Sequence, residues 1–409
     1  MKYGLIGKNI SYSYSKIIHN LFGNNEYELY SLNNEEVKEL LINKDFKGIN
    51  VTIPYKEMVI PYLDYIDESV KSIGACNLIV NKHNKLYGYN SDYYGFLELI
   101  KKEEIDFKDK NVAILGSGGT SKTVKSVLNT LNCKNIYIIS RSKNYYKYDD
   151  LEKLDIDIIV NTTPVGGINN DCLICDIPSS CSGVIDVIYR PNLTKLLMKA
   201  KDRNIKYCNG LYMLVYQAYL SHLKFFENKE DKNKINEVYT KLNKMNTNIY
   251  LIGMPYSGKS SVGKLLATSL NKSFIDIDEE IVKDENMEIK DIFRLKGESY
   301  FRDLEAKEIR KHKFDFNSVI SLGGGAINRD QNMLDCLQTG VVYLIKRDID
   351  KIKFDESRPL SSSIKQYKSL FLEREKLYNN YSSKEYYNNS SLEEIVNEME
   401  CDFNETFNS

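Results

Sequence analysis

Four residues past the middle of the chain are spaced for phosphate chemistry. Gly253, Gly258, Lys259 and Ser260 fit GxxxxGK[ST] in the run LIGMPYSGKSS, with Tyr256, Ser257 and Ser261 inside or beside it. Glycines there let successive backbone N–H groups curl around phosphate oxygens. The lysine reaches the β and γ phosphates of ATP, and the hydroxyl of Ser260 is offered to Mg2+. Charged groups follow in order. Asp276 and Asp278 lie in SFIDIDEE, where alternate positions of a strand would share one face. Arg302 and Glu305 lie three apart in YFRDLEAKE, the spacing of neighbours on one helix face. Gly323, Gly324 and Gly325 follow SVISL, while Arg358 and Arg374 stand in SRPL and FLEREKLY. Taken singly, the carboxylates read as a solvated strand end and Arg302–Glu305 as a surface ion pair. Behind a phosphate loop they read as a phosphoryl-transfer site, because that reaction needs positioning and charge neutralisation more than covalent chemistry.

A second set precedes it. ILGSGGTSK supplies Gly116, Ser117, Gly118, Gly119 and Thr120, and the next apolar run ends IISRSK, with Ser140 and Arg141. In a dinucleotide site an acidic residue at that strand end would meet the ribose 2′-hydroxyl of NAD. An arginine there suits the 2′-phosphate of NADP. Further upstream, Lys56 follows NVTIPY and Asp92 stands in NSDYYG. Reducing a ketone by hydride develops charge on oxygen, and a lysine beside a carboxylate can donate the proton and then recover it. Burial at a strand end would tune the amine. His19 and His83 read as structural or solvated.

These residues need an α/β frame. KYGLIG, FKGINVTIP, NLIV and KLYGYN are short strands, the last two a hairpin around NKHN. SKIIHNLFGNN and DYYGFLELIKK are helices. From residue 98 the pattern is apolar strand, glycine turn, helix, then three further apolar strands, NIYIIS, IDIIVNTTP and GVIDVIY. Such alternation implies a parallel sheet covered on both faces. Two helices follow, GLYMLVYQAYLSHLKFF and NKINEVYTKLNKM, the second with Ile235, Val238, Leu242 and Met245 at helical spacing. At Asn248 strand, glycine turn and helix begin again. The expected fold is α/β in three parts: a substrate domain over 1–97 completed by helices from 211–245, a Rossmann-like NADP domain over 98–210, and a P-loop kinase domain with a central parallel sheet over 248–409. Residues 246–247 are the expected connector.

Composition narrows the partners. A formal net charge of -1 over 409 residues gives no field for nucleic acid or an anionic membrane. No run approaches ~18 apolar residues, so no membrane span is expected. The eight cysteines read as free thiols in a reducing compartment, and a cytoplasmic location is expected. Small molecules are the expected partners, and no oligomeric state is implied.

From Asn248 to about Met399 the ordered motifs (phosphate loop, DxD, FRxxE, GGG, RPL, ERxxLY) resemble shikimate kinase. The resemblance implies Asp276 and Ser260 for Mg2+ and Asp278 for the substrate hydroxyls. It implies Arg302 and Arg374 for the shikimate carboxylate, Gly323, Gly324 and Gly325 for the floor under the ring, and Arg358 for the transferring phosphate. Residues 1 to about 245 resemble shikimate dehydrogenase, through SYSYSK, NVTIPYKE, IGACNLIV, GYNSDYYG, NTTPVGG, DVIYRPNLTKLL and NGLYMLVYQA. That implies Ser13 and Ser15 for the substrate carboxylate, and Thr52, Asn77 and Gln217 for the ring hydroxyls, with Tyr189 also in the substrate site. Lys56 and Asp92 become the catalytic pair, and Thr163 and Gly210 join the NADP site. The chain departs from the two patterns at Lys16 in place of proline after SxS, at NSD for NTD, at GACNL for GAVNT, and in a short segment before RPLSS. The implied function is bifunctional: NADPH-dependent reduction of 3-dehydroshikimate to shikimate, then ATP- and Mg2+-dependent phosphorylation of shikimate to shikimate 3-phosphate. One rival is an NADP- and shikimate-binding regulator with a degenerate kinase half, favoured by the short segment and opposed by intact Lys259, Ser260, Asp278, Arg302 and Arg374. Another is a quinate/shikimate dehydrogenase using NAD, opposed by Arg141.

Overall fold

The computed structural model describes residues 2–11, 13–227, 230–354 and 363–407. It divides into two compact units. The first takes in Met1–Tyr189 and Thr194–Leu242, the second Arg190–Leu193 and Asn243–Ser409.

The first unit holds two sheets. A six-stranded sheet runs in the order Tyr27–Ser31, Tyr3–Gly7, Gly48–Val51, Leu78–Lys82, Lys85–Tyr89, Tyr65–Ile66. Its first three strands are mutually parallel, and Leu78–Lys82 and Lys85–Tyr89 form the expected antiparallel hairpin. A five-stranded, wholly parallel sheet has the order Lys206–Asn209, Gly183–Asp186, Ile158–Asn161, Asn111–Leu115, Asn135–Ile139. Asn111–Leu115 is its first strand in sequence and is buried throughout. The chain leaves it first to one side and then to the other, so the turns after Leu115 and Asn161 flank a reversal of strand order, the place where open α/β sheets bind ligands.

The helix Leu211–Phe226, and the helix Lys232–Asn246 as far as Leu242, complete this unit. Ile235, Val238 and Leu242 are buried as their spacing requires, while Met245 is half-buried. Tyr239 meets Tyr212 edge-on at 5.1 Å, and the Lys102 amine lies 5.4 Å above both rings.

The second unit is built on a parallel sheet in the order Ser273–Asp276, Ser318–Ser321, Asn248–Ile252, Gly340–Lys346, Lys384–Tyr387. Its central strand, NIYLI, is fully buried and ends at the phosphate loop.

Three expectations need correction. The strand through Thr52 stops at Val51. Asp276 ends its strand, but Asp278 lies in the first turn of the helix Ile277–Glu285, so no strand face is shared. The Asp276 carboxylate instead accepts from the backbone N–H groups of Asp278 and Glu279, at 3.0 and 3.4 Å. Arg302 and Glu305 do share one helix, in the half that follows a break at Gly297 (φ 83°, ψ 169°). Residues 246–247 are no free connector: Asn246 is still helical and both are buried. Among the described residues no helix is long and apolar enough to cross a membrane.

Candidate functional site

Two sets of chemical groups converge in two separate cavities. The first, of about 280 Å³, is lined by Ser13, Ser15, Thr52, Lys56, Asn77, Asp92, Tyr189 and Gln217, which are all the substrate and catalytic positions expected in the first half. Thr120, from the first turn of the helix Gly119–Leu128, and Gly210, from the turn before the helix Leu211–Phe226, also line it. Lys56 Nζ donates to Asp92 Oδ2 at 2.6 Å, with the two side chains only 14% and 12% exposed. Asp92 is fixed because it occupies the first turn of the helix Ser91–Lys102, which Asn90 caps by accepting from the Tyr93 N–H. A polar row holds the neighbouring wall: Asn77 accepts from the Ser91 N–H at 2.7 Å and donates to Ser91 Oγ at 3.1 Å, and Ser91 Oγ donates to Gln217 Oε1 at 3.3 Å. Ser13 and Ser15 hydroxyls are bonded at 3.1 Å. Sequence reasoning missed Asn50, which lines the cavity while accepting from the Tyr27 hydroxyl and donating to Ser221. It also missed the apolar wall of Val187, Met213 and Leu214. All four lie inside the quoted runs NVTIPYKE, DVIYRPNLTKLL and NGLYMLVYQA, but nothing in their residue type singles them out from their neighbours.

The turn after Leu115 fits a dinucleotide. Gly116 has φ +104°, and a Cβ there would stand 2.9 Å from Thr162 Oγ1 and from Thr163 Cγ2. A Cβ on Gly118 would meet nothing within 4 Å, so there is open space beside the start of the helix Gly119–Leu128, and a helix N-terminus is where a pyrophosphate binds. Ser117 and Ser140 hydroxyls are 3.0 Å apart, and Thr163 Oγ1 donates to Asn161 at 2.8 Å. Arg141 is exposed on the following loop. Beside it stands a cation that sequence reasoning missed: the Lys147 amine lies on the backbone carbonyls of Ser140, Arg141 and Ser142. Gly210 admits no side chain, since its Cβ would lie 2.0 Å from the Val187 carbonyl oxygen.

In the second unit a cavity of about 560 Å³ is lined by Tyr256, Gly258, Lys259, Ser260, Ser261, Asp276, Asp278 and Gly324. Arg347, Lys351 and Lys353 also line it, three cations not singled out from sequence. The loop has left-handed backbone at Tyr256 (φ 65°) and Gly258 (φ 89°). It is braced by Asn388, whose side-chain amide donates to the Ser257 carbonyl at 2.9 Å. Any Cβ at Gly258 would fall 2.2 Å from that amide nitrogen. Lys259 Nζ donates to the carbonyls of Gly253 and Met254, at 2.9 and 3.1 Å, which holds the amine across the loop mouth. Ser260 Oγ donates to Asp276 Oδ2 at 2.5 Å. A hydroxyl and a carboxylate so paired are the oxygen ligands that Mg2+ takes beside phosphates.

The triple glycine has a separate reason at each position. A Cβ on Gly323 would lie 2.3 Å from Glu305 Oε1, one on Gly324 3.0 Å from Pro255 Cδ, and one on Gly325 2.3 Å from an Arg302 Nη atom. Arg302 bridges Glu298 and Glu305 at 3.0 and 2.9 Å. Arg374, buried, donates to the Gly324 carbonyl at 2.9 Å, as does the Tyr378 hydroxyl at 2.5 Å. Glu305 is wholly buried, so its pairing with Arg302 is no surface ion pair. Burial pushes its carboxyl up to about 7, Arg302 opposing the rise and Asp278 adding to it. Arg358 lies outside the described residues. All eight cysteines are free; sequence reasoning passes over one CxxC spacing, Cys172 to Cys175, where burial raises the Cys175 thiol to about 12.

Known proteins match both halves of the chain. The family model described as shikimate dehydrogenase substrate binding domain matches residues 5–79, and that described as shikimate kinase matches residues 255–402. The shikimate dehydrogenase (NADP(+)) of Clostridium beijerinckii is 38% identical over 238 residues, covering 53% of this chain and 88% of its own. The crystal structure of shikimate dehydrogenase 1 from Peptoclostridium difficile aligns with TM-score 0.55 and 33% identity, over 59% of this chain and 98% of that one. A chorismate mutase/shikimate 5-dehydrogenase fusion protein from Clostridium acetobutylicum aligns with TM-score 0.53 and 33% identity, over 58% and 94%.

Proposed function

The chain belongs to the shikimate dehydrogenase family and carries a shikimate kinase domain behind it, and from that premise we propose which residues perform each of its two consecutive reactions. The first is the reduction of 3-dehydroshikimate to shikimate. Bound NADPH supplies the hydride to the ketone carbon. Lys56 gives its proton to the carbonyl oxygen, and Asp92 holds the amine in place and stabilises its charged form. Ser13 and Ser15 take the substrate carboxylate, while Thr52, Asn77 and Gln217 take the ring hydroxyls and Tyr189 closes the far wall. Gly116, Ser117, Gly118, Gly119, Thr120, Ser140, Thr163 and Gly210 seat the dinucleotide, with Arg141 on the 2′-phosphate. The observation that carries this assignment is the Lys56–Asp92 contact of 2.6 Å, inside a cavity lined by every other expected substrate residue.

The second reaction moves the terminal phosphoryl group of ATP to shikimate. Bound ATP and Mg2+ supply the phosphoryl group and neutralise its charge. Ser260 and Asp276 hold the ion, Lys259 and the loop N–H groups of Gly253, Tyr256, Ser257, Gly258 and Ser261 hold the phosphates, and Arg358 meets the transferring group. Asp278 orients the accepting hydroxyl. Arg302 and Arg374 bind the carboxylate, as the fork of a guanidinium suits a planar anion. We assign residues 1–97 with the helices up to Leu242 to dehydrogenase substrate binding, 98–210 to NADP and Asn243 onward to the kinase, in a cytoplasmic enzyme whose partners are small molecules. The test measures, on one purified sample, NADPH oxidation with 3-dehydroshikimate and ADP release with shikimate. Both activities are expected. Dehydrogenation without ADP release would make the kinase half a binding module.

A further inference from the structure

Outside both sites, three metal-ligating side chains meet where two helices of the kinase unit pack. Glu308 and His312 are one turn apart on the second half of the broken helix, so they share a face. Glu280 comes from the helix Ile277–Glu285. One ligand atom from each lies within 4.8 Å of the other two. His312 Nε2 stands 3.6 Å from Glu280 Oε2 and 3.6 Å from Glu308 Oε2. Two ligands at roughly 2.0–2.1 Å from a tetrahedral ion stand about 3.3–3.4 Å apart, so a shift of a few tenths of an ångström completes each of these edges.

Two further observations point to a ligand. The Glu308 side chain is 1% exposed, yet its Oε1 has no hydrogen-bond partner, and neither does the buried His312 Nε2. On the other edge of the imidazole, Nδ1 lies 2.6 Å from Asp315 Oδ2. A carboxylate only accepts, so Nδ1 carries the hydrogen and Nε2 is the atom turned on the two glutamates. That carboxylate–histidine arrangement is how metal-ligating imidazoles are held. The surrounding charges are Lys311, 2.8 Å from Glu308 Oε2 and 3.1 Å from Asp284, Lys307, 3.7 Å from Glu308 Oε1 and 3.9 Å from Asp284, and Lys283, 3.7 Å from Glu280 Oε1. Three lysines face four carboxylates, which leaves room for a cation, and Lys311 keeps Asp284 if an ion takes its place on Glu308.

We propose that Glu280, Glu308 and His312 bind one divalent transition-metal ion of the Zn2+ class. Imidazole with two carboxylates selects Zn2+ or its first-row neighbours over Mg2+ and Ca2+. The ion braces the two helices that carry the substrate groups. Glu280 lies two residues after Asp278, and Glu308 one turn after Glu305, so the brace sets the distance between the hydroxyl-binding and carboxylate-binding arms.

The test uses the full chain, stripped with a chelator and titrated with Zn2+ by calorimetry under excess Mg2+, so that the oxygen ligands of the phosphate loop are filled. His312→Ala is compared, and Glu280→Gln, at a half-exposed position, serves if the first variant folds poorly. Wild type is expected to bind one more equivalent of Zn2+ than either variant. Co2+ in the same place should give the visible absorption of a tetrahedral nitrogen–oxygen site, lost in both variants. Equal stoichiometry in wild type and both variants overturns the proposal, as does a Co2+ spectrum that survives them.

Discussion

Gly325→Ala tests the most specific contact in the kinase half. The Gly325 backbone is unstrained for an L-residue (φ −107°), so the added methyl acts only through space. Its carbon would stand 2.3 Å from Arg302 Nη2 and 2.4 Å from Cζ and Nη1. Ordinary contact is about 3.5 Å or more, so the guanidinium must retreat by roughly 1 Å. It has little freedom to do so. One Nη atom is bonded to the wholly buried Glu305 at 2.9 Å, and the other to Glu298 at 3.0 Å. Swinging away keeps at most one of these partners and turns the fork from the face where the shikimate carboxylate is proposed to bind.

Losing one charge-assisted hydrogen bond to an anion costs about 1.5–3 kcal/mol. At 1.4 kcal/mol per factor of ten, that is roughly a 10- to 150-fold rise in the Michaelis constant for shikimate. ADP release coupled to a spectrophotometric readout measures it, with ATP saturating. The Michaelis constant for ATP and the dehydrogenase rate should stay at wild-type values. Gly324→Ala is the contrast. Its methyl would press on Pro255 of the phosphate loop at 3.0 Å, so its effect should fall on ATP. If Gly325→Ala leaves the shikimate constant unchanged, or raises that for ATP instead, Arg302 does not hold the carboxylate.

Lys56→Ala should remove most NADPH oxidation by 3-dehydroshikimate while ADP release continues, and an unaltered turnover would end the proton-donor assignment. Arg141→Asp should weaken NADPH and narrow its advantage over NADH, because the 2′-phosphate loses its cation and a ribose 2′-hydroxyl gains an acceptor; an unshifted ratio of the two Michaelis constants would mean that Arg141 points elsewhere. Lys259→Met should abolish phosphoryl transfer and spare dehydrogenation, and loss of both would reveal a shared dependence of folding. Burial holds Glu305 at about 7 against an ordinary 4.5, so the folded state binds its proton more tightly than the unfolded chain. That stabilisation is full below pH 4.5 and lost as pH rises through 7, by up to roughly 3 kcal/mol. Thermal denaturation of the wild type should therefore lose ground to Glu305→Gln between pH 5 and 8, and parallel curves would contradict a buried titrating carboxyl.

What could be read in the sequence was what is local. The phosphate loop, the turn after Leu115 and the hairpin Leu78–Tyr89 are set by residues within a few positions of one another, and they stand where glycine, proline and apolar spacing put them. The pair proposed as catalytic was legible only through its surroundings, since Lys56 and Asp92 meet across 36 residues. Asn388 was invisible: it braces the phosphate loop from 131 residues away, and an asparagine at a strand end carries no mark of such a partner. Glu305 was visible but misjudged. Helical spacing predicts that it meets Arg302 and cannot say that the opposite side is closed by Gly323 and Asp278, which makes a surface pair into a buried one.

The junction fails for the same reason in its sharpest form. The stripe Ile235, Val238, Leu242, Met245 suggests one helix with one allegiance, ended by two polar residues. The polar residues are buried, and a buried polar group at a helix end must find a partner. Thr247 finds them far off in sequence: its hydroxyl accepts from the Asn192 amide at 3.0 Å, and its carbonyl accepts from Lys272 at 3.0 Å. Lys272 also takes the Lys244 carbonyl at 2.8 Å, so the last turn of the helix has its hydrogen-bond partners within the second unit. The division between compact units therefore falls inside a continuous helix, at Leu242 and Asn243. Hydrophobic periodicity cannot place such a boundary, because the period runs straight across it and only the hydrogen-bond partners change.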